Sequence, residues 1–213
     1  MKFETSGILI AIRPFGDRDS VARVFTPDNG VISGMLRGGA VARRKPMAGQ
    51  YGGVTWIARL DSQLGVMRWD TQKNYAAPLF SMPMPLMQMN AAFELIAALV
   101  PERESFPRLY DETICLLSQL AAQNTDAYLT WEIALLRELG YALDLSRCAG
   151  CGRGDDLKYL SPRTGRAVCA DCGAQYASRM WNLPLGLKHT GEFIARVCAD
   201  LGIEIPRGRK LLS

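Results

Sequence analysis

Four cysteines hold the most specific chemistry of this 213-residue chain. "RCAGCG" (147–152) and "VCADCG" (168–173) together read C-x2-C-x17-C-x2-C, the spacing of a four-thiolate metal site. Two residues between cysteines let both thiolates of a pair face one ion. The glycines that follow, Gly152 and Gly173, permit a tight turn that aims backbone amides at sulfur. Zinc suits four thiolates in a tetrahedron, and such a set leaves no position for a substrate. Cys148, Cys151, Cys169 and Cys172 are thus the candidate ligands of one structural Zn2+. The alternatives are an iron–sulfur cluster, disulfides or loose thiols. Paired knuckles in a ribbon favour zinc, and disulfides conflict with a cytoplasmic protein.

The second chemical feature is "LRGGAVARRKPM" (36–47), where two glycines precede Arg43, Arg44 and Lys45. Residues 1–80 hold eleven Lys/Arg against six Asp/Glu, whereas residues 81–213 hold fourteen against fifteen. The first part of the chain therefore carries all of the positive excess, which points to an anionic partner, the alternative being an ordinary solvated surface. A loop that follows a sugar–phosphate backbone and neutralises it binds without regard to sequence, because counterions are released. Arg43, Arg44 and Lys45 are the candidate phosphate contacts, with Arg13, Arg37, Arg59 and Arg68 extending the track. Tyr51, Trp56 and Trp69 are close in sequence and could stack bases, although filling the core competes with that role.

Other chemistries lack their residues. His189 is the single histidine, in a loop-to-helix passage, "LGLKHTGEF", that suits a capping or surface role. There is no G-x-S-x-G elbow, no G-x-x-x-x-G-K-[ST] run and no strand-linked G-x-G-x-x-G. No catalytic residue is assigned, and the chain is read as a non-enzyme. Its apolar content is 48%, its mean hydropathy is near zero, and no run reaches the roughly 18 apolar residues of a membrane span. The opening "MKFETSGILIAIRPF" reads as a strand rather than a signal peptide. The expectation is a cytoplasmic protein with no membrane partner.

These residues must be held by a scaffold with two characters. Up to about residue 77 the apolar period is near two, with strands over 7–13, 20–26, 31–37, 53–60 and 65–75 and an Asn29-Gly30 turn. Five short strands suit a small barrel, of which the OB-fold is the commonest example. "APLFSMPMPLM" (77–87) reads as a linker. Helical periodicity then covers 86–100, 107–123 and 124–140, the last opening on an Asn/Thr/Asp cap and closing on Gly140. Cys115 and Cys198 fall on apolar helical stripes and read as core residues, and Met82, Met84, Met87 and Met89 as core fillers. Between the cysteine pairs, Tyr159 and Leu160 read as strand and "SPRTG" as a turn. Arg153, Lys158, Arg163 and Arg166 either add phosphate contacts or solvate that hairpin.

In this order the pieces resemble the RecO family of bacterial recombination mediators. "GILIAIRPFGDRDSVARVFTPDNGVISGMLRGG" is similar to the family's opening barrel, and "ARRKP" stands at its basic loop. "TWIARLDSQLG", "VPERESFPRLYDE", "WEIALLRELGYALDLSRCAGCG" and "YLSPRTGRAVCADC" resemble its later blocks. The resemblance implies an α+β chain with an OB-fold over 1–78. It also implies a helical-bundle domain over 79–146 and 179–213, and a zinc-ribbon insertion over 147–178. Binding of single- and double-stranded DNA and annealing of complementary strands are implied as well. So is partnership with RecR and with the C-terminal tail of single-strand-binding protein, so that RecA can load. The competing readings are an OB-fold RNA-binding or protein-interaction module with a structural ribbon, and an enzyme with a cryptic site.

Overall fold

The structure is a computed structural model that describes residues 1–41, 45–59, 64–141 and 143–212. Five strands form a closed barrel in the order β1-β2-β3-β5-β4. They are β1 (Lys2–Phe15), β2 (Asp19–Thr26), β3 (Gly30–Leu36), β4 (Gln50–Ile57) and β5 (Gly65–Asn74). β1 is long because it serves two neighbours. Lys2–Ile8 pairs with β4, and Ile8–Phe15 pairs with β2, with a register shift between Leu9 and Ala11. Closure comes from a parallel pairing of β3 with β5 that spans only Gly34–Leu36 and Gly65–Met67.

Period-two patterning sets what faces inward. On β2, Ser20, Ala22 and Val24 are buried, while Val21 and Arg23 are half-buried on the other face. The barrel interior is Leu9, Ala22, Val24, Ile32, Leu36, Val54, Trp56 and Met67. Trp56 is 1% exposed, stacks on Phe3 at 5.1 Å, and donates its indole N–H to the Ser33 carbonyl at 2.9 Å. The Asn29-Gly30 turn forms as expected, with Gly30 at φ +56.

Two compact units are present, Met1–Tyr128 with Pro206–Leu212, and Leu129–Ile205. In the first, a 3-10 turn (Ala77–Ser81) leads into α1 (Pro83–Leu99), followed by α2 (Pro107–Ala121). The expected linker is therefore mostly helical, and α1 starts before residue 86 because Pro83 and Pro85 both fall in its first turn, where no intrahelical N–H is needed. Phe25 meets Tyr110 edge-on at 5.5 Å. Arg23 donates to the Ala97 carbonyl at 2.8 Å and lies 3.4 Å from Glu102. β4 starts and stops earlier than the pattern over 53–60 indicated.

α3 (Ala127–Glu138) ends before Gly140, which takes φ +84. The second unit continues with β6 (Leu157–Leu160), β7 (Ala167–Cys169), α4 (Ala170–Gly173), β8 (Trp181–Asn182) and α5 (Leu187–Asp200). β7, β6 and β8 form an antiparallel sheet. The "SPRTG" turn is present, with Gly165 N–H donating to the Ser161 carbonyl at 2.9 Å. In the first unit the short α6 (Arg207–Lys210) packs on α1, where the Gly208 amide donates to Glu94 at 2.7 Å.

Several side-chain expectations change. Cys198 is buried at 1% exposure, but Cys115 is exposed. Cys115 sits one step off the buried stripe made by Leu109, Thr113, Leu116, Leu117 and Leu120 on α2. Of the four methionines only Met89 is buried, and Met84 is 54% exposed because it stands on the outer side of the first turn of α1. His189 caps α5, its Nδ1 accepting the Gly186 amide at 3.0 Å.

Candidate nucleic-acid groove and metal centre

The cysteine knuckles come together at one end of the ribbon. The four Sγ atoms lie within 4.8 Å of one another, and Cys151 and Cys169 are 3.8 Å apart. Cys148 and Cys169 are buried. The Gly150 and Cys169 amides both donate to Cys148 Sγ at 3.3 Å. Amides from Cys169, Cys151 and Gly150, in that order of strength, hold the Cys148 thiol down at about 6. Cys172 is pushed up to about 12, first by its side-chain hydrogen bond to Cys169 and then by those to Cys151 and Cys148. Such a set, with sulfurs in contact and one already a thiolate near neutrality, fits a metal ion.

The two glycines act differently. Gly152 has φ +77, as a tight turn requires. Gly173 has φ −88 and is needed for space, since a Cβ there would lie 2.3 Å from the Tyr159 ring. Tyr159 in turn packs in the small core with Cys148, Val168 and Cys169. Of the ribbon cations, Arg153 is paired with Asp171 at 3.2 Å and Arg166 lies 3.9 Å from Asp144.

On the barrel, the β3–β5 pairing stops at Leu36 and Met67, where β3 ends and β5 runs on, leaving a gap beside β5. The gap is a groove of about 670 Å³ whose lining includes Arg37, Gly38, Gly39, Pro46, Arg68 and Trp69. Arg37 and Arg68 are exposed, and no carboxylate lines the groove among the described residues. The glycine stretch is a tight turn rather than a free loop. Gly38, at φ +70, donates its amide to Asp19 Oδ1 at 2.8 Å, and Ala40 donates to the Arg18 carbonyl at 3.0 Å. Asp19 had no signal in the sequence, because its partner is nineteen residues away.

The other candidates are dispersed. Lys45 is exposed, next to Pro46 at the groove. Arg13 lines a different groove, of about 730 Å³, with Arg23 and Glu94. Arg59 is exposed just past β4 and lines neither. Arg43 and Arg44 lie outside the described residues. Among the aromatics, Trp56 is sealed in the core and cannot meet a base, whereas Tyr51 and Trp69 are half-buried.

A closed five-stranded barrel of this order, in one chain with a four-cysteine ribbon, defines an OB-fold protein with an auxiliary thiolate centre. The family described as Recombination protein O N terminal matches residues 1–68, and that described as Recombination protein O C terminal matches residues 86–189. The chain is 37% identical to the DNA repair protein RecO of Ruegeria sp. (strain TM1040), over 90% of this chain and 81% of that protein. It is 36% identical to the protein of the same name from Jannaschia sp. (strain CCS1), over 100% and 95%. The figure for Rhodospirillum centenum (strain ATCC 51521 / SW) is 34%, over 98% and 92%. The chain belongs to the RecO family of DNA repair proteins. Among the described residues, no helix is long and apolar enough to cross a membrane.

Proposed function

We propose that this chain is a non-enzymatic mediator of DNA repair and homologous recombination. It binds single- and double-stranded DNA, anneals complementary strands, and helps RecA load on DNA coated by single-strand-binding protein. RecR and the C-terminal tail of single-strand-binding protein are its partners, at the nucleoid in the cytoplasm. The observation that supports this most is the carboxylate-free groove shared by Arg37 and Arg68 on the OB-fold. Cations placed there neutralise phosphates and gain affinity from counterion release. Phosphate contacts position a strand without occupying its base edges, so the Watson–Crick edges stay free to pair with a second strand. Lys45, and Arg43 and Arg44 beside it in sequence, extend the same charge.

The ribbon holds one zinc through Cys148, Cys151, Cys169 and Cys172. A tetrahedron with Zn–S bonds of about 2.3 Å has sulfurs about 3.8 Å apart, which is the Cys151–Cys169 separation of 3.8 Å. The ion would supply folding energy and no reaction step.

The test is the double variant Arg37→Ala/Arg68→Ala. Two lost contacts to a single strand should flatten the log-affinity against log-salt slope by about 1.4, and should slow annealing of strands coated with single-strand-binding protein. A double variant with the wild-type slope and annealing rate would remove the groove from the DNA path.

A further inference from the structure

Trp69 lies between two grooves. It lines the basic groove on one side and, on the other, a smaller one of about 250 Å³ that is also lined by Glu4, Val54 and Asp70. Arg68 lines both as well. Trp69 packs against the barrel core and is half-buried. Its ring is fixed in rotation. Nε1–H donates to Thr71 Oγ1 at 2.8 Å, that hydroxyl donates to Gln50 Oε1 at 3.1 Å, and Gln50 Oε1 also accepts the Met47 amide at 3.3 Å. The indole N–H is therefore used within the protein and is not offered to a base edge. With its N–H engaged, the indole has its ring to offer a ligand.

The two grooves differ in charge, and that difference orients a ligand. Asp70 would repel a phosphate from the small groove, where Glu4 is paired with Lys2 at 3.1 Å, while Arg37 and Arg68 attract one to the large groove. A nucleotide lying over this wall places its phosphate beside Arg68 and its base toward Trp69.

We propose that Trp69 is a base-stacking platform for single-stranded DNA, with Thr71 and Gln50 as its positioning residues. This rests on the reading of the Arg37–Arg68 groove as the DNA path. A stacked base must be unpaired, so Trp69 gives the groove a preference for single strands that charge alone lacks. The stack is indifferent to sequence, since every base has a π-face.

The experiment compares three fluorescent probes of equal length: oligo-dT, the same backbone with abasic sites, and a duplex. Trp69→Ala should weaken oligo-dT binding by roughly 5- to 150-fold, the span of about 1–3 kcal/mol per stacked base, and leave the abasic strand, the duplex and the salt slope unchanged. Trp69→Phe, which keeps a ring, should restore most of the oligo-dT affinity. Thr71→Val, which frees the indole with little change in shape, should lose a smaller part of it and nothing on the abasic strand. Because Trp69 touches the core, the abasic strand and the duplex also report folding. Wild-type oligo-dT affinity in Trp69→Ala would overturn the proposal, and so would a Trp69→Phe variant that binds the abasic strand and the duplex as the wild type does but recovers no oligo-dT affinity. The failure of the underlying reading looks different: it is Arg37→Ala/Arg68→Ala binding all three probes as the wild type does.

Discussion

Asp19, the first residue of β2, holds Gly38 in the turn just past the end of β3, its Oδ1 accepting the Gly38 amide at 2.8 Å. Together with the Ala40 amide on the Arg18 carbonyl, this bond holds the turn by which the chain leaves β3 next to Arg37. Asp19→Ala should cost about 1–2 kcal/mol, as expected for a hydrogen bond to a partly exposed charged acceptor. Asp19→Asn keeps an acceptor and should cost less than half of that. Urea unfolding gives the energies, and hydrogen exchange at the Gly38 amide gives the mechanism. A Gly38 amide that exchanges as fast in the wild type as in Asp19→Ala would contradict this.

The three consecutive cations of the sequence "ARRKP" make a separate prediction. Changing Arg43, Arg44 and Lys45 together to Ala should weaken binding to every DNA sequence about equally, and flatten the salt slope by roughly 2 to 3. Helix content and metal content should stay as in the wild type. The slope is the decisive reading, because a misfolded protein also binds poorly. If the slope were retained, these three charges would be a solvated surface turn.

The tetrad should hold one zinc per chain. Removing it with a chelator should unfold the ribbon while the barrel, which has its own core, stays folded. Metal analysis of reduced protein and exchange protection on β6 and β7 decide this. A stoichiometry near zero would refute it.

Acid should release that metal. Zinc needs four thiolates, so its affinity falls as pH falls. Without metal, the amides that point at the Cys148 sulfur hold it at about 6, below the ordinary thiol value of about 8.5. A depressed folded value stabilises the protein above the unfolded value, and that contribution disappears as pH drops through about 6. Cys172, pushed up to about 12, is protonated at neutrality when no metal is bound, so adding zinc should release protons into a weak buffer. Zinc affinity that did not change between about pH 5 and 8 would be inconsistent with thiolate ligation.

The two ribbon glycines should fail in different ways. Gly173→Ala puts a Cβ 2.3 Å from the Tyr159 ring and should loosen metal retention, because Tyr159 packs against Cys148 and Cys169. Gly152→Ala meets nothing within 4 Å and only strains a backbone at φ +77, at about 1–2 kcal/mol. Zinc transfer to a chromophoric chelator ranks the two. Faster loss from Gly152→Ala would reverse the assignment.

The features legible in the sequence are those that depend on near neighbours. The C-x2-C knuckles, the Asn29-Gly30 turn, the Gly140 helix stop and the strand alternation of β2 each follow from geometry within a few residues, so local rules find them. Helical spacing on α2 and α5 gave Cys115 and Cys198 the same outlook, yet one is exposed and the other buried. A stripe shows that a helix has an apolar face, but how far around the helix that face is covered depends on what packs there. Likewise Trp56 and Trp69 both lie on barrel strands. Only the closure decides that the first is sealed beneath Phe3 and the second stands at the gap between β3 and β5. Arg37 and Arg68 were nominated for their charge, but they share a groove because a three-residue parallel pairing brings two distant strands together and then stops where β3 ends. Residue type and spacing determine which chemistry is available, whereas long-range pairing determines which of those side chains meet, because the burial and hydrogen bonding that select one closure are summed over the whole barrel.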